Sequence, residues 1–128
     1  MAYLVDTHAF LWMIGDADSL SPLVRDIVNK GHNKIYLSAA SLWEMAIKIN
    51  LGKLQLPFSF TDDIDDVLRA HGIFVLAIDM KHAQVISKLP LHHRDPFDRM
   101  LVAQAMAEGW SLISRDPAMT LYPVEVLW

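Results

Sequence analysis

The chain contains no cysteine in 128 residues. Disulfides and thiolate metal sites are thereby excluded, and the absence suits a reducing cytoplasm, where the protein is expected. It has no uninterrupted apolar run near the roughly 18 residues that a membrane-spanning helix needs, so no membrane association is expected. The start, Met1-Ala-Tyr-Leu-Val-Asp6, lacks a basic segment followed by a long apolar one and does not read as a secretory signal. Positive charge is not in excess either: the net charge is −4 with His neutral. That balance argues against nucleic-acid binding through bulk charge, because such binding is driven by neutralising phosphates. Repeats, low-complexity stretches and long linkers are also missing, and a single domain over residues 1–128 is expected.

Apolar bulk is abundant. Hydrophobic residues make up 53%, with four Trp, five Phe and seven Met among them. A chain of this size buries roughly two-thirds of its unfolded surface. The surplus is expected to serve a partner.

Short apolar runs alternate with helical patterns along the chain. Tyr3–Asp6, Lys34–Ala39, Ile73–Asp79, Ser111–Ser114 and Val124–Trp128 read as strands. Helices are predicted from Thr7 to Gly15, Ser21 to Gly31, Ser41 to Lys53, Thr61 to Gly72, Met80 to Leu89 and Asp95 to about Gly109. Pro22 and Pro96 suit first helical positions, where no backbone N–H is needed. Strands that are nearly continuously apolar and alternate with helices indicate an α/β fold, a central parallel sheet covered on both faces. Ligands of such sheets gather outside the carboxyl ends of the strands.

The acids fall at those ends. Asp6 closes the first strand and Asp116 follows the fourth, while Glu44 and Asp98 are expected in the first turns of helices. Each has a capping explanation. Asp6 can cap the helix at Thr7, Ser41 and Glu44 match a capping box, Asp98 suits a helix dipole behind the Asp95 cap, and Asp116 suits an Asx-turn before Pro117. Their joint placement asks for more. Two carboxylates about 5 Å apart repel by roughly 3 kcal/mol at an effective dielectric near 20. A hard divalent cation compensates that repulsion, and Mg²⁺ prefers oxygen ligands while leaving room for phosphate oxygens.

Four segments, "YLVDTHAFLW", "SAASLWEMAIK", "HHRDPFDRMLVAQA" and "LISRD", resemble the ordered motifs of PIN-domain ribonucleases, specifically the VapC-type toxins of bacterial toxin–antitoxin pairs. The resemblance runs from Tyr3 to Asp116. It maps the family's acidic quartet onto Asp6, Glu44, Asp98 and Asp116, and gives supporting roles to Thr7, Asp95 and Ser114. It implies a PIN-like three-layer α/β/α fold with strand order 3-2-1-4-5. It further implies Mg²⁺ or Mn²⁺ dependence, cleavage of RNA, a homodimer and a VapB-type antitoxin that blocks the site.

Under this reading Asp6, Asp98 and Asp116 hold a cation, and Glu44 holds a second one or orients the attacking water. Arg94, Arg99 and Arg115 lie beside the acids in sequence and are candidates for gripping phosphates, with surface solvation or pairing to those acids as the plain alternative. Lys48 and Lys53 could extend that track or face solvent. His92 and His93 are read as loop residues, since adjacent side chains on an extended loop point apart and zinc sites need three or four convergent ligands. His8 can face crevice or core. Trp12, Trp43 and Trp110 are read as core residues. Two other functions remain open. One is a receiver-like or other Mg-dependent phosphoryl-transfer domain, with Asp79 as its modified acid. The other is a non-catalytic RNA-binding PIN module.

Overall fold

Tyr3, Leu4 and Val5 look alternately into two cores, and that alternation organises the molecule. The computed structural model describes residues 1–128. Strand β1 (Ala2–Val5) lies at the centre, flanked by β2 (Lys34–Ser38) and β4 (Ser111–Ile113). With β3 (Ile73–Leu76) and β5 (Val126–Leu127) they form a five-stranded, all-parallel sheet in the order β3-β2-β1-β4-β5. This is the order that the resemblance implies.

Successive side chains of a strand point to opposite faces. Tyr3 and Val5 join Phe10, Val24, Leu37 and Met45 in one core, closed by α1 (Thr7–Gly15), α2 (Pro22–Asn29) and α3 (Ala39–Asn50). Leu4 faces the other core with Leu101, Val102, Leu112, Met119 and Tyr122, beneath α6 (Pro96–Glu108). Two shorter helices, α4 (Ile64–Ala70) and α5 (Met80–Ser87), flank β3. No helix is long and apolar enough to cross a membrane.

Caps place the helix starts. Ser21 accepts the Val24 N–H and Pro22 opens α2, as the sequence predicts. Asp95 accepts the N–H groups of Phe97 and Asp98, and Gly109 ends α6 in the left-handed region at φ 73°, which only glycine enters without strain.

Four elements depart from the sequence reading, the first being β3, which ends at Leu76 rather than Asp79. Helix α4 begins at Ile64 rather than Thr61, with no side-chain cap. The last strand shrinks to Val126–Leu127. Helix α3 begins at Ala39 because Ser38, which ends β2, itself accepts the Ala40 N–H. Ser41 and Glu44 therefore form no capping box, and Glu44 stands in the second turn.

Candidate active site

The register of β1 carries Asp6 between two serines. Val5 pairs with Leu37 on one side and Ile113 on the other, so the next residues at the strand ends are Ser38, Asp6 and Ser114. Six of the nine buried polar side chains, Asp6, Thr7, Ser38, Ser41, Glu44 and Ser114, come from these strand ends and the helices that follow. Buried polar groups need partners, and here they supply one another. The Asp6 carboxylate accepts the Ala9 N–H at 2.8 Å, capping α1. The Thr7 hydroxyl donates to Glu44 Oε1 at 2.7 Å and lies 3.0 Å from Ser41 Oγ. Lys48, one turn along α3, pairs with Glu44 Oε2 at 3.1 Å.

The other half of the site comes from the far side of β1. Asp116 caps a short 3₁₀ turn through the Ala118 N–H. Asp98 stands in the first turn of α6, where Asp95 does the capping and leaves the Asp98 carboxylate free. Between the two lies His93: its Nε2 is 3.1 Å from Asp98 Oδ2 and 3.2 Å from Asp116 Oδ2. Nδ1 of the same ring accepts the Asp95 N–H at 3.1 Å, so a neutral ring carries its proton on Nε2. That N–H donates to Asp116, and the Asp98 oxygen lies beside it. The donor atoms of His93, Asp98 and Asp116 all lie within 4.8 Å of one another.

The four acids share one field. Burial pushes the Asp98 carboxyl up to about 7; repulsion from Asp95, Glu44 and Asp6 adds to the rise, and His93 opposes it. Asp6 is raised in the same direction, first by burial, while the Ser114 hydroxyl, the Ala9 N–H and His8 pull it down and Asp116 pushes it up. Such crowding favours either the neutral acid or a compensating positive charge beside it. The carboxylates offer hard oxygens, the ligand type that divalent cations such as Mg²⁺ take, and the group also includes the His93 ring nitrogen.

The arginines divide. Arg94 is exposed and lines, with Glu44, Lys48, Asp95 and Phe97, a groove of about 460 Å³ beside the acids. Arg115 is exposed on the loop before Asp116. Arg99 does not face the crevice. Its guanidinium donates to Pro90 O (2.8 Å), Leu89 O (3.2 Å) and Tyr122 Oη (3.3 Å), so it ties down the loop ahead of α6 instead of offering itself to phosphate.

His93 is the site residue that sequence reasoning set aside. His92 does point elsewhere, toward the Tyr122 ring at 5.2 Å between centroids. His8 is exposed and lies over Trp12. Trp43 is no core residue: it is 62% exposed, edge-on to Phe97 at 5.2 Å, and continues into an exposed apolar stripe with Ile47 and Leu51. Asp79 caps α5 and forms a capping box with His82, a structural use that leaves the receiver alternative no support.

A family model described as the PIN domain matches residues 3–124. The chain belongs to the PIN domain family. Among characterised proteins it is similar to Ribonuclease VapC16 of Mycobacterium tuberculosis, 43% identical over 58 residues. That stretch covers 45% of this chain and only 41% of the relative. Solved structures with the same fold include VapBC2 from Rickettsia felis bound to a DNA fragment from its promoter, with a TM-score of 0.75, 17% identity and coverage of 100% of this chain and 99% of that one. DNA-bound VapBC from Salmonella typhimurium gives a TM-score of 0.72 at 14% identity, covering 99% and 97%.

Proposed function

We propose that this PIN domain is a metal-dependent endoribonuclease, the toxin of a VapBC-type pair, held inactive by a VapB-type antitoxin in the cytoplasm. The observation that carries the reading is the crowding of charge around Asp98: burial with repulsion from Asp95, Glu44 and Asp6 raises it to about 7, and its donor oxygen lies within 4.8 Å of the donor atoms of Asp116 and His93. The partial likeness to Ribonuclease VapC16 supports the choice of RNA as substrate. The fold shared with VapBC complexes supports the antitoxin. The exposed stripe of Trp43, Ile47 and Leu51 supports a protein partner, including a second copy of this chain in a homodimer.

Asp6, Asp98 and Asp116 are the residues that would hold the divalent cation. When bound, it supplies Lewis acidity toward the phosphodiester and compensates charge that develops in the transition state. Glu44, steadied by Thr7 and Lys48, orients the attacking water and accepts its proton. Water oxygen bonds to phosphorus as the bond to the 3′-oxygen of the preceding nucleotide breaks, and that oxygen takes a proton from solvent water, leaving a 5′-phosphate and a 3′-hydroxyl. Arg94 and Arg115, both exposed beside the acids, meet the flanking phosphates. Ser114 and Asp95 keep Asp6 and Asp98 in place from behind.

The test is to map new 5′-phosphate ends in total RNA exposed to the wild type and to Asp98→Asn, with Mg²⁺ and with EDTA. Ends that appear only with the wild type and Mg²⁺ support the enzyme. RNA that is bound but never cut, by either protein, identifies a non-catalytic RNA-binding module.

A further inference from the structure

The His93 ring is held at every polar atom. Its backbone N–H donates to Tyr122 Oη at 2.7 Å, its Nδ1 accepts the Asp95 N–H at 3.1 Å, and its Nε2–H donates to Asp116 Oδ2 at 3.2 Å while Nε2 lies 3.1 Å from Asp98 Oδ2. Tyr122 is buried against the core under α6, and Arg99 reaches both Tyr122 Oη and the carbonyls of Leu89 and Pro90. The loop bearing His93 is thus fastened at both ends.

Rigid hydrogen-bond partners of ligating groups set the direction in which those groups present their lone pairs. A carboxylate oxygen has two lone pairs, so an N–H on one oxygen leaves directions free for a cation on either oxygen. Asp98 arrives on α6 and Asp116 on the loop after β4, two elements joined at this point by the imidazole bridge. Without the bridge, two like charges on separate elements would move apart in the metal-free protein.

We infer that His93 is a positioning residue for the cation: its ring, hydrogen-bonded to Asp116 and in contact with Asp98, sets the spacing at which both carboxylates reach one divalent ion. The inference rests on the metal-dependent reading of the site. It assigns His93 no contact with RNA and no direct bond to the ion. Arg99 and Tyr122 are the anchors of the bridge.

Mn²⁺ binding to the full chain without RNA, followed by the electron paramagnetic resonance of free Mn²⁺, tests this apart from turnover. His93→Ala is expected to weaken Mn²⁺ by about 10- to 100-fold. His93→Gln, whose amide nitrogen reaches toward the Nε2 position, is expected to recover most of the loss, and His93→Asn, which is too short, is not. Tyr122→Phe, which frees the loop, is expected to weaken binding to a lesser degree. If the alanine variant does not fold, the contrast between Gln and Asn decides: equal affinities overturn the inference. So does His93→Ala that folds and binds Mn²⁺ as well as the wild type, or better, the second being the mark of a ring that competes with the ion. A wild type that binds no Mn²⁺ removes the metal reading itself, an outcome distinct from failure of the bridge alone.

Discussion

The Thr7 hydroxyl donates a 2.7 Å hydrogen bond to Glu44 Oε1 across 37 positions of sequence, tying the start of α1 to the second turn of α3. Thr7 follows the central strand and Glu44 is nearly buried at 8% exposure, so this bond decides where the carboxylate points. Thr7→Val keeps the shape and removes the donor. A buried acceptor left without its partner costs about 1–3 kcal/mol. The expected result is a lower melting temperature together with a fall in kcat, with little change in KM for RNA. Unaltered kcat would show that Glu44 is not oriented by Thr7.

Asp98→Asn should separate stability from activity. Asp98 is 22% exposed at its side chain and surrounded by other acids, so its charge strains the metal-free protein. The neutral amide keeps an oxygen for His93 and loses the repulsion. RNA cleavage is expected to disappear while the melting temperature without metal rises, by about 3–5 °C for each kcal/mol of repulsion relieved. A melting temperature that falls instead argues that Asp98 serves the fold rather than the cation.

The same charges set a pH dependence. A carboxyl raised by folding from 3.8 to about 7 favours the folded state fully below the lower value and loses that contribution as pH rises through the upper one. Asp6 acts in the same direction. Metal-free stability is therefore expected to decline between about pH 4 and pH 7. Mn²⁺, which binds the ionised acids, should bind more tightly and release protons over the same interval. Chemical denaturation of the metal-free protein at several pH values measures the first effect, and calorimetry in buffers of different ionisation enthalpy measures the second. Asp98→Asn should flatten both.

Arg99→Lys tests the assignment of Arg99 to the loop. A lysine cannot reproduce the fork that reaches Leu89 O, Pro90 O and Tyr122 Oη together. Each hydrogen bond to a charged donor contributes about 1.5–3 kcal/mol. Stability and Mn²⁺ affinity are expected to fall together, while the affinity of the inactive Asp98→Asn background for RNA stays the same. Loss of RNA affinity alone would return Arg99 to the phosphate track.

Much of this was legible in the residues. Strand ends carrying Asp6 and Asp116, the Asp95-Pro96 helix start and the 3-2-1-4-5 order all appear in the structure as the sequence and its family resemblance indicate. The misreadings share a cause. Ser38 and Ser41 are both good caps, and only the length of β2 decides that Ser38 is used, which moves Glu44 a turn further into α3. His92 and His93 are indistinguishable as letters. Their directions follow from anchors at Pro90, Asp95 and Tyr122, a loop geometry that no periodicity encodes. Counting histidines as zinc ligands also hid the one that bridges carboxylates. Trp43 sits on a helix whose apolar residues exceed what one core can cover, and hydrophobicity alone does not say which of them stays outside.

The most direct measurement is anomalous diffraction at the manganese edge from crystals soaked in Mn²⁺. The account predicts a single strong peak, or a close pair, within bonding distance of Asp6, Asp98 and Asp116 carboxylate oxygens, lost in Asp98→Asn. A peak elsewhere on the surface, or none while the four acids stay in place, would contradict it.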